Sequence, residues 1–143
     1  TLLKKLAQDL GVTDRVIFTG QVERSVVTLY RRASDIFVAP SRSEGLGNAF
    51  LSSLASRLPL VATQVGGMAD YVFDEKHNPD KHPTAWVIDP NSPDQIVEKV
   101  KEIIANPEKA KQISSFARKM VEEKYDWDII AQEMRRKVFD KVL

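Results

Sequence analysis

Four short runs of consecutive apolar residues punctuate the chain: Arg15-Val-Ile-Phe-Thr-Gly20, Asp35-Ile-Phe-Val-Ala-Pro40, Leu60-Val-Ala-Thr63 and Ala85–Asp89. Runs of this length that do not alternate with polar residues predict strands buried on both faces. Between them the apolar positions recur with helical period. Helices are predicted over Thr1–Leu10 with Gly11 as stop, Glu23–Ala33 with Val26, Val27 and Tyr30 on one face, and Gly47–Ser56, burying Phe50, Leu51, Leu54 and Ala55. A short helix follows Gly66-Gly67 and runs through Val72, and Phe73–Thr84 reads as a charged loop. Ser92-Pro93 opens a helix to Ala105, Asn106-Pro107 breaks it, and helices at about Glu108–Lys124 and Trp127–Leu143 complete the chain. In the last of these, Trp127, Ile130, Met134, Val138 and Val142 form a stripe expected to be buried, with Arg135-Arg136-Lys137 on the wet face.

Strand and helix in alternation are the pattern of parallel βαβ units, hence an α/β fold. In such sheets ligands bind outside the carboxyl ends of the strands. Those ends are Gly20-Gln21-Val22, Ser41–Gly47, Gln64–Gly67 and Asp89-Pro90-Asn91. At 143 residues the chain is about one domain. A net charge of +1 provides no general field for nucleic acid. No run approaches the roughly 20 apolar residues of a membrane span, and no secretory leader is visible at the start. The absence of cysteine rules out disulfides, thiolate metal sites and a cysteine nucleophile. Leu2, Leu3, Leu6 and Leu10 already follow helical spacing behind Thr1, which predicts a piece of a longer protein.

The most polar and glycine-rich strand end is Pro40–Ala55. Gly45 and Gly47 remove side chains where a ligand would approach the backbone, and the helix starting near Gly47 directs its positive dipole end at the same spot. Phosphate oxygens suit such a place, and Glu44 can accept hydrogen bonds from sugar hydroxyls. An acid and two glycines are equally the ingredients of plain helix capping. His77 and His82, with Asp74, Glu75 and Asp80, read as a solvated loop surface and not as a metal site. Ser41 and Ser43 have no nearby His and acid for a nucleophilic triad.

Pro40-Ser-Arg-Ser-Glu-Gly-Leu-Gly-Asn-Ala-Phe-Leu51, followed by Leu58-Pro-Leu-Val-Ala-Thr-Gln-Val-Gly-Gly67, resembles the donor half of retaining glycosyltransferases of family 4. Arg15–Val22, Tyr30 through Val38, and Tyr125–Ala131 fit the same pattern in the same order. The resemblance implies a GT-B C-terminal domain over residues 1–143: a Rossmann-like three-layer sandwich with a mainly parallel sheet, incomplete, ending in two or three consecutive helices. It implies that Glu44 positions the transferred sugar and that Gly45, Leu46, Gly47, Asn48 and Ala49 line the sugar and diphosphate. The family's second acid, which binds the ribose, falls on Ser52, a shorter and uncharged group. Gln21 and Val22 fall where the nucleotide base packs, and Gly66-Gly67-Met68-Ala69-Asp70 resembles the family's Gly-Gly-x-x-Glu.

The same resemblance implies a cytoplasmic enzyme at the inner face of the membrane, peripherally associated. The parent would transfer a hexose from a nucleotide diphosphate sugar to a glycan or lipid-linked acceptor without metal or other cofactor, and without nucleic acid. The acceptor site and the catalytic cleft partner would lie on an N-terminal domain outside this chain, so the chain alone is expected to be inactive. Two strands of the family domain would precede Thr1 and lie between Val16–Thr19 and Ile36–Ala39, so direct pairing of these two segments, or homo-oligomerisation, is expected. Two alternatives stay open: a non-catalytic nucleotide- or sugar-binding GT-B relative, motivated by Ser52, and a nucleotide-sugar epimerase of the same architecture.

Overall fold

The structure is a computed structural model and describes residues 1–142. By contact density the chain divides into two units, Thr1–Tyr30 and the remainder from Arg31. The first holds helix α1 (Leu2–Asp9), a single 3-10 turn at Thr13–Arg15 and the start of α2 (Arg24–Ala33).

The second is built on strands β1 (Phe37–Ala39), β2 (Leu60–Thr63) and β3 (Trp86–Ile88), all parallel, in the order β1-β2-β3. Phe37 pairs with Leu60 and Ala39 with Ala62, while Val61 pairs with Trp86 and Thr63 with Ile88. Alternation along the strands sends their side chains to two cores. Leu60, Ala62 and Val87 join Phe50, Leu51 and Leu54 of α3 (Asn48–Ala55) and Met68, Tyr71, Val72 and Phe73 of the β2–β3 connection. Val61, Trp86 and Ile88 join Ile103 of α4 (Pro93–Ala105) on the other face. Helix α5 (Pro107–Lys124) serves both, with Ala110 and Ile113 in one core and Ala117, Met120 and Val121 in the other. Helices cover both faces, which is why every residue of β2 and β3 is buried and apolar runs without alternation encode them. This is the expected α/β, Rossmann-like arrangement.

Two expectations fail. Arg15–Gly20 forms no strand: the sheet contains three strands and this segment is not one of them. Val16 closes the 3-10 turn by donating to Thr13 O, and Ile17 is 84% exposed. Apolar sequence supplies the tendency to extend, but a strand exists only where a ladder partner accepts its backbone groups. Direct pairing of Val16–Thr19 with Ile36–Ala39 therefore does not occur.

The stripe of the last helix is the second failure. The segment consists of α6 (Trp127–Met134), a wide turn of π type at Arg135–Phe139, and the short α7 (Asp140–Val142), with the expected terminal Leu143 outside the described residues. Ile130 is half-buried, but Trp127, Met134, Val138 and Val142 are exposed. Helix α6 packs chiefly against α5, so most of the stripe has no surface to be buried against. Asp126 caps α6 by accepting from the Asp128 amide at 2.9 Å, and Arg136 and Lys137 pair with Glu133 in solvent.

The contrast is measurable by urea denaturation. Leu54→Ala, at a fully buried position, should cost about 2–5 kcal/mol, whereas Trp127→Ala should stay within about 0.5 kcal/mol of wild type. An equal loss from both would mean that the α6 stripe is covered after all.

Candidate functional site

Because the strands are parallel and in register, their carboxyl ends bring three loops to one edge of the sheet. Side chains then fasten the loops together. Thr63 Oγ1, at the end of β2, donates to Ser41 O after β1 at 2.6 Å, and Arg42 Nε donates to Asn91 Oδ1 after β3 at 2.7 Å. The Gly67 amide donates to Gly45 O at 3.1 Å. A Cβ on Gly66, which has φ +56°, would stand 1.9 Å from Glu44 O. The Gly66-Gly67 turn therefore supports the Glu44-Gly45 peptide directly, a role beyond the tight turn that the sequence alone requires.

Glu44 is half-buried, and its carboxylate accepts from the amide of Gly45 at 3.2 Å. Gly47 caps α3 in the left-handed conformation, φ +73°, without a side-chain cap. Its α-carbon faces a gap closed by the Phe50 ring, the Tyr71 hydroxyl and Glu44 Cγ, and a Cβ there would lie 2.8 Å from each of the first two. Gly47 O accepts from the Phe50 and Leu51 amides. The amides of Gly47, Asn48 and Ala49 have no acceptor among the described residues. Leu46, Asn48 and Ala49 are exposed. A carboxylate and a set of unpaired N–H groups thus share one rim, an arrangement able to bind a polar, anionic ligand.

Ser52 lies one helical turn further along. Its Oγ donates to Asn48 O at 2.7 Å, which leaves its lone pairs as acceptors only. Ser53 is fully buried and donates to Ala49 O, so it cannot take the place of Ser52 at the rim. Gln21 and Val22 belong to the first unit, in the irregular stretch before α2. In the Phe73–Thr84 loop His77 pairs with Asp74 at 2.8 Å and His82 lies against Phe116. Among the described residues no three His, Asp or Glu side chains gather to hold a metal.

The residue that the sequence reading missed is Tyr71. It is fully buried, its hydroxyl donates to Leu46 O at 2.6 Å, and its ring meets Tyr125 edge-on at 5.7 Å. The available signal was a phenol inside the apolar run Tyr71-Val72-Phe73, since a buried tyrosine hydroxyl must find an acceptor. Burial, then Tyr125, then the Glu44 carboxylate push its ionisation above the ordinary 10.0.

Two predictions follow from this packing. Gly66→Ala should lose about 2–4 kcal/mol, because it meets backbone at a left-handed position, while Gly45→Ala, with no atom within 4 Å of the new methyl, should stay within about 0.5 kcal/mol. Thermal melts of the two proteins check this. The Tyr71 phenol is held neutral in the folded state, so its contribution is complete below pH 10 and is lost as pH rises, because the unfolded chain releases the proton first. Unfolding free energy should fall above about pH 10 by up to about 1.4 kcal/mol per pH unit from this group, and the fall should be shallower in Tyr71→Phe. Denaturant titrations across that range read the difference.

A family model described as glycosyl transferases group 1 matches residues 1–120. The GDP-mannose-dependent alpha-(1-6)-phosphatidylinositol monomannoside mannosyltransferase of Mycobacterium tuberculosis is 32% identical over 139 residues, covering 92% of this chain and 34% of that protein. Sucrose-phosphate synthase from Thermosynechococcus elongatus superposes with a TM-score of 0.84 at 25% identity, covering 98% of this chain and 33% of that one. The C-terminal domain of a glycosyl transferase group 1 family protein from Francisella tularensis superposes with a TM-score of 0.74 at 24% identity, covering 88% of this chain and 62% of that one. The chain thus spans about a third of the length of curated relatives such as this one. With its parallel sheet, its helices on both faces and its polar rim at the strand ends, the chain belongs to the glycosyl transferases group 1 family and has the fold of a GT-B C-terminal domain.

Proposed function

We propose that the chain is the donor-binding part of a retaining, family 4 glycosyltransferase, a single domain whose parent moves a hexose from a nucleotide diphosphate sugar to a glycan or lipid-linked acceptor. The observation that carries the reading is the Glu44–Ala49 turn, where one carboxylate and unpaired amides share the carboxyl edge of a parallel sheet. Family membership supports transfer over epimerisation, and the mycobacterial relative is described as using GDP-mannose.

In this reading Glu44 accepts from hydroxyls of the transferred sugar, and the amides from Gly45 to Ala49 face the sugar and diphosphate. The acceptor oxygen forms its bond to the anomeric carbon on the face from which the phosphate leaves. Its proton passes to the departing phosphate oxygen, and charge is stabilised by dipoles already in place. The transfer uses no metal or other cofactor, the parent works in the cytoplasm against the membrane, and the chain by itself does not turn over.

No helix among the described residues is long and apolar enough to cross a membrane. Ser52 favours a second reading, a relative that binds the donor without transferring it, because a hydroxyl already committed to Asn48 O cannot bridge a vicinal diol.

Calorimetric titration with GDP-mannose and UDP-glucose tests the donor site. Ser52→Glu should bind its preferred nucleotide sugar about tenfold or more tightly than wild type, the equivalent of about 1.5–3 kcal/mol for charged hydrogen bonds. Equal affinity in the two proteins would count against the site.

A further inference from the structure

We propose that Tyr71 is a positioning residue, whose hydroxyl aims the amide of Gly47 outward at the rim. The ring itself is fixed. It is fully buried and edge-packed on Tyr125, and its backbone carbonyl accepts from Thr84 Oγ1 at 2.6 Å while that oxygen accepts from the Phe73 amide. From this anchored ring the hydroxyl donates to Leu46 O at 2.6 Å and stands 3.4 Å from Gly47 O.

The Leu46 carbonyl therefore points inward, while the Gly47 carbonyl is held by the Phe50 and Leu51 amides of α3. In a planar trans peptide the N–H lies opposite the C=O, and no peptide among the described residues is cis. Leu46 C=O shares its peptide plane with the Gly47 N–H. Turning the Leu46 oxygen toward the phenol thus turns the Gly47 hydrogen away from it, and that hydrogen has no acceptor among the described residues. The fit of Gly47 is matched to the same group, because a Cβ there would lie 2.8 Å from the phenol oxygen. Glycine leaves the turn free to adopt many conformations, and the hydroxyl selects one of them.

What the aimed amide binds rests on the donor-site reading above, but its direction does not. The test therefore has two arms. In the ligand-free protein, Tyr71→Phe should shift the Gly47 amide resonance and lower its backbone order parameter while the rest of the sheet is unchanged. In titrations, the same variant should bind GDP-mannose or UDP-glucose about three- to tenfold more weakly, the loss expected for one hydrogen bond. Ile103→Val, in the core on the other face of the sheet, serves as a control for general destabilisation and should alter neither readout.

An unchanged Gly47 amide signal in Tyr71→Phe, or an equal change in Ile103→Val, would overturn the proposal. If the wild-type protein binds neither nucleotide sugar, the donor-site reading fails, and the amide measurements alone decide the role of Tyr71. If Tyr71→Phe does not fold, the wild-type protein still decides. Its phenol proton should exchange slowly and show a nuclear Overhauser contact to the Gly47 α-protons, and absence of that contact refutes the geometry.

Discussion

The rim is held by one backbone lying on another. The peptide of Glu44-Gly45, after β1, rests on the Gly66-Gly67 turn, after β2, close enough that a single methyl on Gly66 would overlap Glu44 O. Only the Gly67 N–H to Gly45 O bond and two missing side chains make that approach feasible. Everything that gives the rim its chemistry sits on top of this contact: the Glu44 carboxylate, the left-handed Gly47 and the uncapped start of α3. Parallel pairing of β1 with β2 brings the two turns level, so sheet register and site geometry are a single constraint.

Beneath the rim, the short helix α3 survives through burial, not propensity. Eight residues are too few for an isolated helix to persist in water. Three serines near its end each turn a hydroxyl back onto a carbonyl four residues earlier, which adds little. Phe50, Leu51 and Leu54 inserted between the sheet and α5 supply the stability, and the Phe37 ring meets Phe50 edge-on at 5.8 Å. The amides at the start of α3 can remain unpaired because the other end of the helix is locked into the core.

Much of this was readable from residue order. Three apolar runs became β1, β2 and β3, because buried parallel strands leave an uninterrupted hydrophobic signature. Pro93 and Pro107 marked two helix starts to within a residue. The resemblance led to the Glu44–Ala49 turn. Arg15–Gly20 and the Trp127–Val142 stripe carried the same kind of signal and misled, since local pattern records a preference for burial but not the presence of a partner. Tyr71 escaped notice for the reverse reason: its polar function depends on a carbonyl 25 residues away in sequence, a pairing that no local pattern contains. Arg42 with Asn91, separated by 49 positions, was hidden in the same way.

The uneven covering of the molecule separates its two indoles. Trp86 lies in the core of the sheet, 4% exposed, whereas Trp127 opens α6 at 78% exposure. Fluorescence from this chain is therefore the sum of a blue-emitting, quencher-protected fluorophore and a red-emitting, quencher-accessible one. Loss of the blue component tracks melting of the sheet, while the red component senses anything that comes to rest on the final helices, so one optical signal distinguishes unfolding from association.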